Sequence, residues 1–82
     1  MKTIKETTWN YRVLVTKIED DYVYSIREVY YQGNKPTAWT ESESSPFGLS
    51  LEEIKNDVEM MEKAFEKPPL LVKGDELVEF KG

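Results

Sequence analysis

The chain contains no cysteine and no histidine. It therefore cannot draw on disulfides, the usual support of a very small domain. The common zinc sites are excluded as well. So are Cys–His and Ser–His nucleophile pairs, because the imidazole base is missing. Long apolar runs are absent too, and none approaches the ~20 residues that span a bilayer. Met1 to Glu6 carry lysines but no apolar stretch of the signal-peptide kind, so the cytoplasm is the expected compartment. Positive charge is in the minority, with 11 basic against 16 acidic residues and a net charge of −5. Phosphate backbones and anionic lipid surfaces repel such a chain, so neither autonomous nucleic-acid binding nor membrane association is expected. A basic protein partner is compatible with this charge, which also serves solubility alone.

What is present is the composition of a folded protein. Hydrophobic residues make up 39% of the 82, with two Trp, five Tyr and three Phe, which sets the chain apart from disordered sequences despite 33% charged residues. This length holds one domain with one modest core. The expected boundaries are a flexible N-terminus over 1–8 and a single domain over 9–82.

Trp9 to Ile18 reads as a strand, with Tyr11, Val13 and Val15 alternating against Arg12, Leu14 and Thr16. The odd positions form the expected core face. Glu19-Asp20-Asp21 is a polar turn, and Tyr22 to Tyr31, rich in β-branched and aromatic residues, completes a hairpin. Within the second strand Tyr22, Tyr24 and Ile26 share one face, while Val29 and Tyr31 fall on the other. A β-bulge near Arg27-Glu28 would reunite them; the alternative is a strand covered on both faces. Gln32 to Lys35 is a turn, Pro36 discourages a central strand at that point, and Thr37 to Thr40 forms a short third strand carrying Trp39. Glu41 to Pro46 is a polar loop.

The helix is the clearest element. Ser50 and Glu53 form a capping box, and Leu49 with Ile54 suits a hydrophobic staple. Glu52 and Glu53 sit in the first turn, where the macrodipole favours negative charge. Leu51, Ile54, Val58, Met61 and Phe65 form one apolar stripe, with Met60 and Ala64 beside it. Pro68-Pro69 stops the helix. Leu70 to Val72 and Leu77 to Phe80 then flank a turn, as a hairpin or as one edge strand with a tail. The expected fold class is α+β: an antiparallel sheet of three to four strands with one amphipathic helix on one face, in the order β-β-β-α-β.

No pattern of residues here demands catalysis, and no cofactor or metal is expected. The acidic turn lacks the alternate spacing and glycine of a calcium loop. Glu28 is the best general acid or base on offer, but it has no carboxylate partner at defined spacing, and a strand ion pair with Arg12 or Arg27 is the simpler expectation. The acidic helix face reads as solvated. The aromatic residues of the sheet exceed what one small core needs. Tyr22, Tyr24, Tyr30, Tyr31 and Trp39 are accordingly the expected partner-binding residues, suited to a protein partner or to a homodimer interface.

Asn10-Tyr11-Arg12, Ile26 to Tyr31, Pro46 to Glu53 and Pro69-Leu70-Leu71 together resemble a group of short bacterial proteins of uncharacterised function. The helix start Gly48-Leu49-Ser50-Leu51-Glu52-Glu53 is also similar to that of the partial ribonuclease-H-like domain of HicB-type antitoxins. That resemblance implies a ββ-β-α-β order, frequent dimerisation, and a role in binding and blocking a small toxin that acts on RNA. The chain differs from that family in the composition of its third strand, and no DNA-binding segment is expected after Gly82. The functional expectation is a small acidic interaction module without catalytic activity, antitoxin-like or regulatory. Two alternatives stand beside it: an acidic decoy from a phage or mobile element that inhibits a host defence nuclease, and an enzyme using carboxylates alone.

Overall fold

The computed structural model describes residues 7–81. Five strands form one sheet: β1 (Thr7–Ile18), β2 (Asp21–Gln32), β3 (Lys35–Trp39), β4 (Leu70–Lys73) and β5 (Glu76–Glu79). Between β3 and β4 lie the helix α1 (Leu51–Glu62) and a 3-10 turn, Lys63–Glu66. The expected α+β class holds, with two corrections. The sheet has five strands, because the C-terminal segment does form a hairpin. It is also mixed, in the order β3-β2-β1-β4-β5, with β4 parallel to β1. Two parallel neighbours need a long crossover connection, and α1 supplies it. The expected fraying over 1–8 falls for residues 1–6 outside the described residues, while Thr7 and Thr8 already belong to β1.

The β1–β2 pairing runs without a shift from Thr7↔Gln32 to Ile18↔Asp21. The bulge expected near Arg27-Glu28 is therefore absent. The register shift lies instead between Tyr30 and Tyr31, against β3, where Pro36 interrupts regular pairing. An unbroken register resolves the conflict in β2 the other way, with both faces covered. One face carries Trp9, Tyr11, Val13 and Val15 beside Tyr24, Ile26, Glu28 and Tyr30; the other carries Asn10, Arg12, Leu14 and Thr16 beside Ser25, Arg27, Val29 and Tyr31.

The helix covers the first face. Tyr11, Val13, Met61 and Ala64 make its buried cluster, with Ile26 packed against them. On the second face Leu14 and Val29 are fully buried. By register Leu70, Val72 and Leu77 point the same way. The tip of the β4–β5 hairpin, Gly74-Asp75, shares a cleft with Thr37, Ala38 and Trp39 of β3. The twist of the sheet thus brings its two edge strands near each other on this side.

Ser50 caps α1 as expected, its Oγ accepting from the Glu53 backbone N–H at 3.1 Å. The reciprocal bond is displaced by one residue: Glu53 Oε1 accepts from Leu49 N at 3.0 Å rather than from Ser50 N. The staple does not close, since Leu49 is 85% exposed. Nor does the whole stripe pack. Met61 is buried and Ile54 half-buried, but Leu51 and Phe65 are exposed. Phe65 leaves the stripe because the last turn tightens to 3-10 geometry, which advances each residue further round the axis and turns Ala64 inward. Lys67 is already extended, as the residue before a proline tends to be.

Candidate functional site

The five aromatic residues expected to bind a partner do not form one patch. Tyr22 and Tyr24 are about half exposed on the helix-bearing face, and the Phe80 ring lies 5.0 Å from Tyr22 and 6.2 Å from Tyr24. Tyr30 is on the same face but half-buried, and donates its hydroxyl hydrogen to Glu28. Register sends Tyr31 to the opposite face, where its hydroxyl donates to Asn10 Oδ1 at 2.8 Å and accepts from Arg12 Nη1 at 3.2 Å. Trp39, half-buried, lies by the β5 hairpin tip.

Glu28 forms no strand ion pair with either arginine, because alternation places Arg12 and Arg27 on the opposite face. Arg27 is satisfied by Ser25 Oγ, Thr40 O and Thr16 Oγ1. Glu28 instead faces an open cleft of about 680 Å³ between the sheet, the 41–47 loop and α1. Every charged side chain lining this cleft among the described residues is acidic: Glu28, Glu43, Glu53 and Asp57. Tyr11, Phe47 and Met60 supply its apolar walls.

Asp57 organises the cleft. Its Oδ1 accepts from the Tyr11 hydroxyl at 2.7 Å, and its Oδ2 accepts from Phe47 N at 2.9 Å, fastening helix to sheet and loop to helix. Burial, then the Asp57 hydrogen bond and the negative charges of Asp57 and Glu28, push the Tyr11 phenol up to about 12. The Tyr30 phenol is also raised, chiefly by its hydrogen bond to Glu28. Both carboxylates thus meet neutral phenol donors, and Asp57 is occupied at both oxygens. Among the described residues no group of three acidic side chains is arranged to hold a metal ion. No helix among them is long and apolar enough to cross a membrane.

Among the described residues the most exposed large apolar side chains lie just before α1, at its start and in the 3-10 turn, not on the sheet. Phe47, Leu49, Leu51 and Phe65 are 70–86% exposed. Of these, Leu49 is expected in the hydrophobic staple and Leu51 and Phe65 in the packed stripe of the helix. In comparisons with protein-family models, curated proteins and solved structures, the chain matches none.

Proposed function

We propose that the chain is a small non-catalytic interaction module that binds a basic protein partner at the start of α1. One observation carries this reading: Phe47, Leu49 and Leu51 stand exposed beside a cleft whose charged lining is entirely acidic. Apolar anchors next to a carboxylate-lined cleft suit a segment that presents both a hydrophobic side chain and Lys or Arg. The net charge of −5 steers such a partner from a distance. A basic, nucleic-acid-acting protein is the partner class shared by an antitoxin-like role and by inhibition of a defence nuclease. The similarity of the helix start Gly48 to Glu53 to that of HicB-type antitoxins motivates the first of these. Tyr22, Tyr24 and Phe80 form a second apolar surface, which we assign to self-association.

Affinity capture from the native cell, followed by calorimetry on the purified partner, tests this reading. Expected are a basic partner, binding that weakens as salt rises, and a loss of about tenfold or more with Leu51→Glu or Phe47→Ser. A partner without basic surface, or one indifferent to both substitutions, would overturn it. Sedimentation of the chain alone tests self-association, which Tyr24→Ser should weaken.

A further inference from the structure

Arg12 and Arg27 are direct cross-strand neighbours on the face away from α1. Like charges in that relation disfavour pairing unless something offsets them. Arg27 has hydrogen bonds at all three guanidinium nitrogens. Arg12 does not. It donates to the Tyr31 hydroxyl at 3.2 Å and to the Pro68 carbonyl at 2.9 Å, both uncharged, and its Nε is buried with no partner.

Beside it opens a second cleft of about 300 Å³, lined by Thr8, Asn10, Arg12, Tyr31, Asn34 and Lys67 among others. None of the described residues lining it is acidic, although acidic residues predominate in the chain. Arg12 donates to the carbonyl of Pro68, the residue after Lys67, and Lys67 lines the same cleft. Hydrogen bonding there runs in one direction, from Arg12 to Tyr31 to Asn10 Oδ1. It occupies the Asn10 acceptor and leaves that amide's N–H donors over. The cleft therefore offers two positive charges and several donors.

We propose that this cleft binds the phosphate group of a small phosphorylated ligand. Two cations with no acidic side chain among the described lining residues match a dianion better than a single carboxylate, and phosphate monoesters carry about −1.5 to −2 at neutral pH. Arg12 and Lys67 supply the charge, while Asn10, Asn34 and Thr8 supply hydrogen bonds to the remaining oxygens. The volume is at the small end of ligand pockets, ~300–1,000 Å³, which suits a headgroup and a short carrier. A nucleic-acid backbone is the weaker candidate, because the surrounding field is negative. This site is separate from the acidic cleft and does not depend on its partner.

Amide NMR of the full chain, titrated with inorganic phosphate and separately with acetate at matched ionic strength, tests the proposal. Saturable shifts are expected at Gly33, Asn34 and the Asn10 side-chain amide with phosphate, and much weaker ones with acetate. Lys67 is exposed, so Lys67→Gln keeps the fold and should weaken phosphate binding about tenfold. Arg12→Gln should weaken it further, with the dispersion of the spectrum reporting that the chain remains folded. No saturable shift, equal response to acetate, or unchanged affinity in Lys67→Gln overturns the site. Tighter binding of a short RNA than of phosphate overturns the small-ligand assignment.

Discussion

Tyr11 and Asp57, 46 positions apart in the chain, are joined by a 2.7 Å hydrogen bond that fastens α1 to the central strand. Met61 of α1 and Ala64 of the 3-10 turn belong to the buried cluster on that face, and this bond adds a polar tie to that packing. Tyr11→Phe should cost about 1–3 kcal/mol, as expected for a hydrogen bond to a charged group. Asp57→Ala should cost more, because Phe47 N loses its acceptor as well. Urea unfolding of the two variants checks both the size and the order of the effects.

Alkaline pH should undo this contact. Tyr11 is neutral in the fold and its ionisation is raised from 10.0 to about 12. The stabilisation is therefore fully present below the unfolded value near 10 and is lost as pH rises through about 12. Phenolate absorbance should show Tyr11 titrating late, with Tyr30 also delayed by Glu28. Tyr11→Phe should flatten the stability profile between those two pH values; an unchanged profile would show that Tyr11 is not the group responsible.

Two residues of the same apolar stripe should behave oppositely. Met61 is buried and Leu51 is 86% exposed. Met61→Ala should destabilise by about 2–4 kcal/mol through transfer and cavity effects. Leu51→Ala should stay within about 0.5 kcal/mol. Equal losses for the two would show that Leu51 is packed.

Gly48 is required by space rather than by backbone angle. A Cβ there would collide with the Ile54 backbone nitrogen and come within 2.8 Å of Glu53. Gly48→Ala must therefore push the 41–47 loop away from the helix start, at a cost of about 1–3 kcal/mol. Hydrogen exchange should locate the damage in the first turn of α1, with β1 and β2 spared.

Glu19, in the β1–β2 turn, has φ 55°, a left-handed conformation that a non-glycine residue adopts at a cost. Glu19→Asn or Glu19→Gly should raise stability by roughly 0.5–1 kcal/mol, measured as an increase in the denaturant midpoint.

The elements read from sequence were those fixed by local chemistry. Ser50 and Glu53 mark the helix start, Pro68-Pro69 its end, and the alternation through Tyr11, Val13 and Val15 marks a central strand with its core face. Wherever two segments had to be placed against each other, local chemistry was silent. Whether Arg27-Glu28 bulged depended on β1 pairing through an unbroken register, and that register also put Glu28 and the arginines on opposite faces. The expected partner-binding aromatics were scattered for the same reason, because strand parity, unlike composition, separates Tyr30 from Tyr31.

Sequence by itself determined that this is an acidic α+β chain without imidazole or thiol chemistry, and it determined where its best-capped helix begins. Tertiary structure decided how much of that helix is packed. Its stripe could be read as wholly buried, since periodicity reports which residues share a face and not how much of the face a partner covers. Only the packing of Met61 and Ala64 on Tyr11 and Val13 showed how narrow the covered part is. Leu51 and Phe65 were left exposed, and the acids of a strand, a loop and the helix met in one cleft.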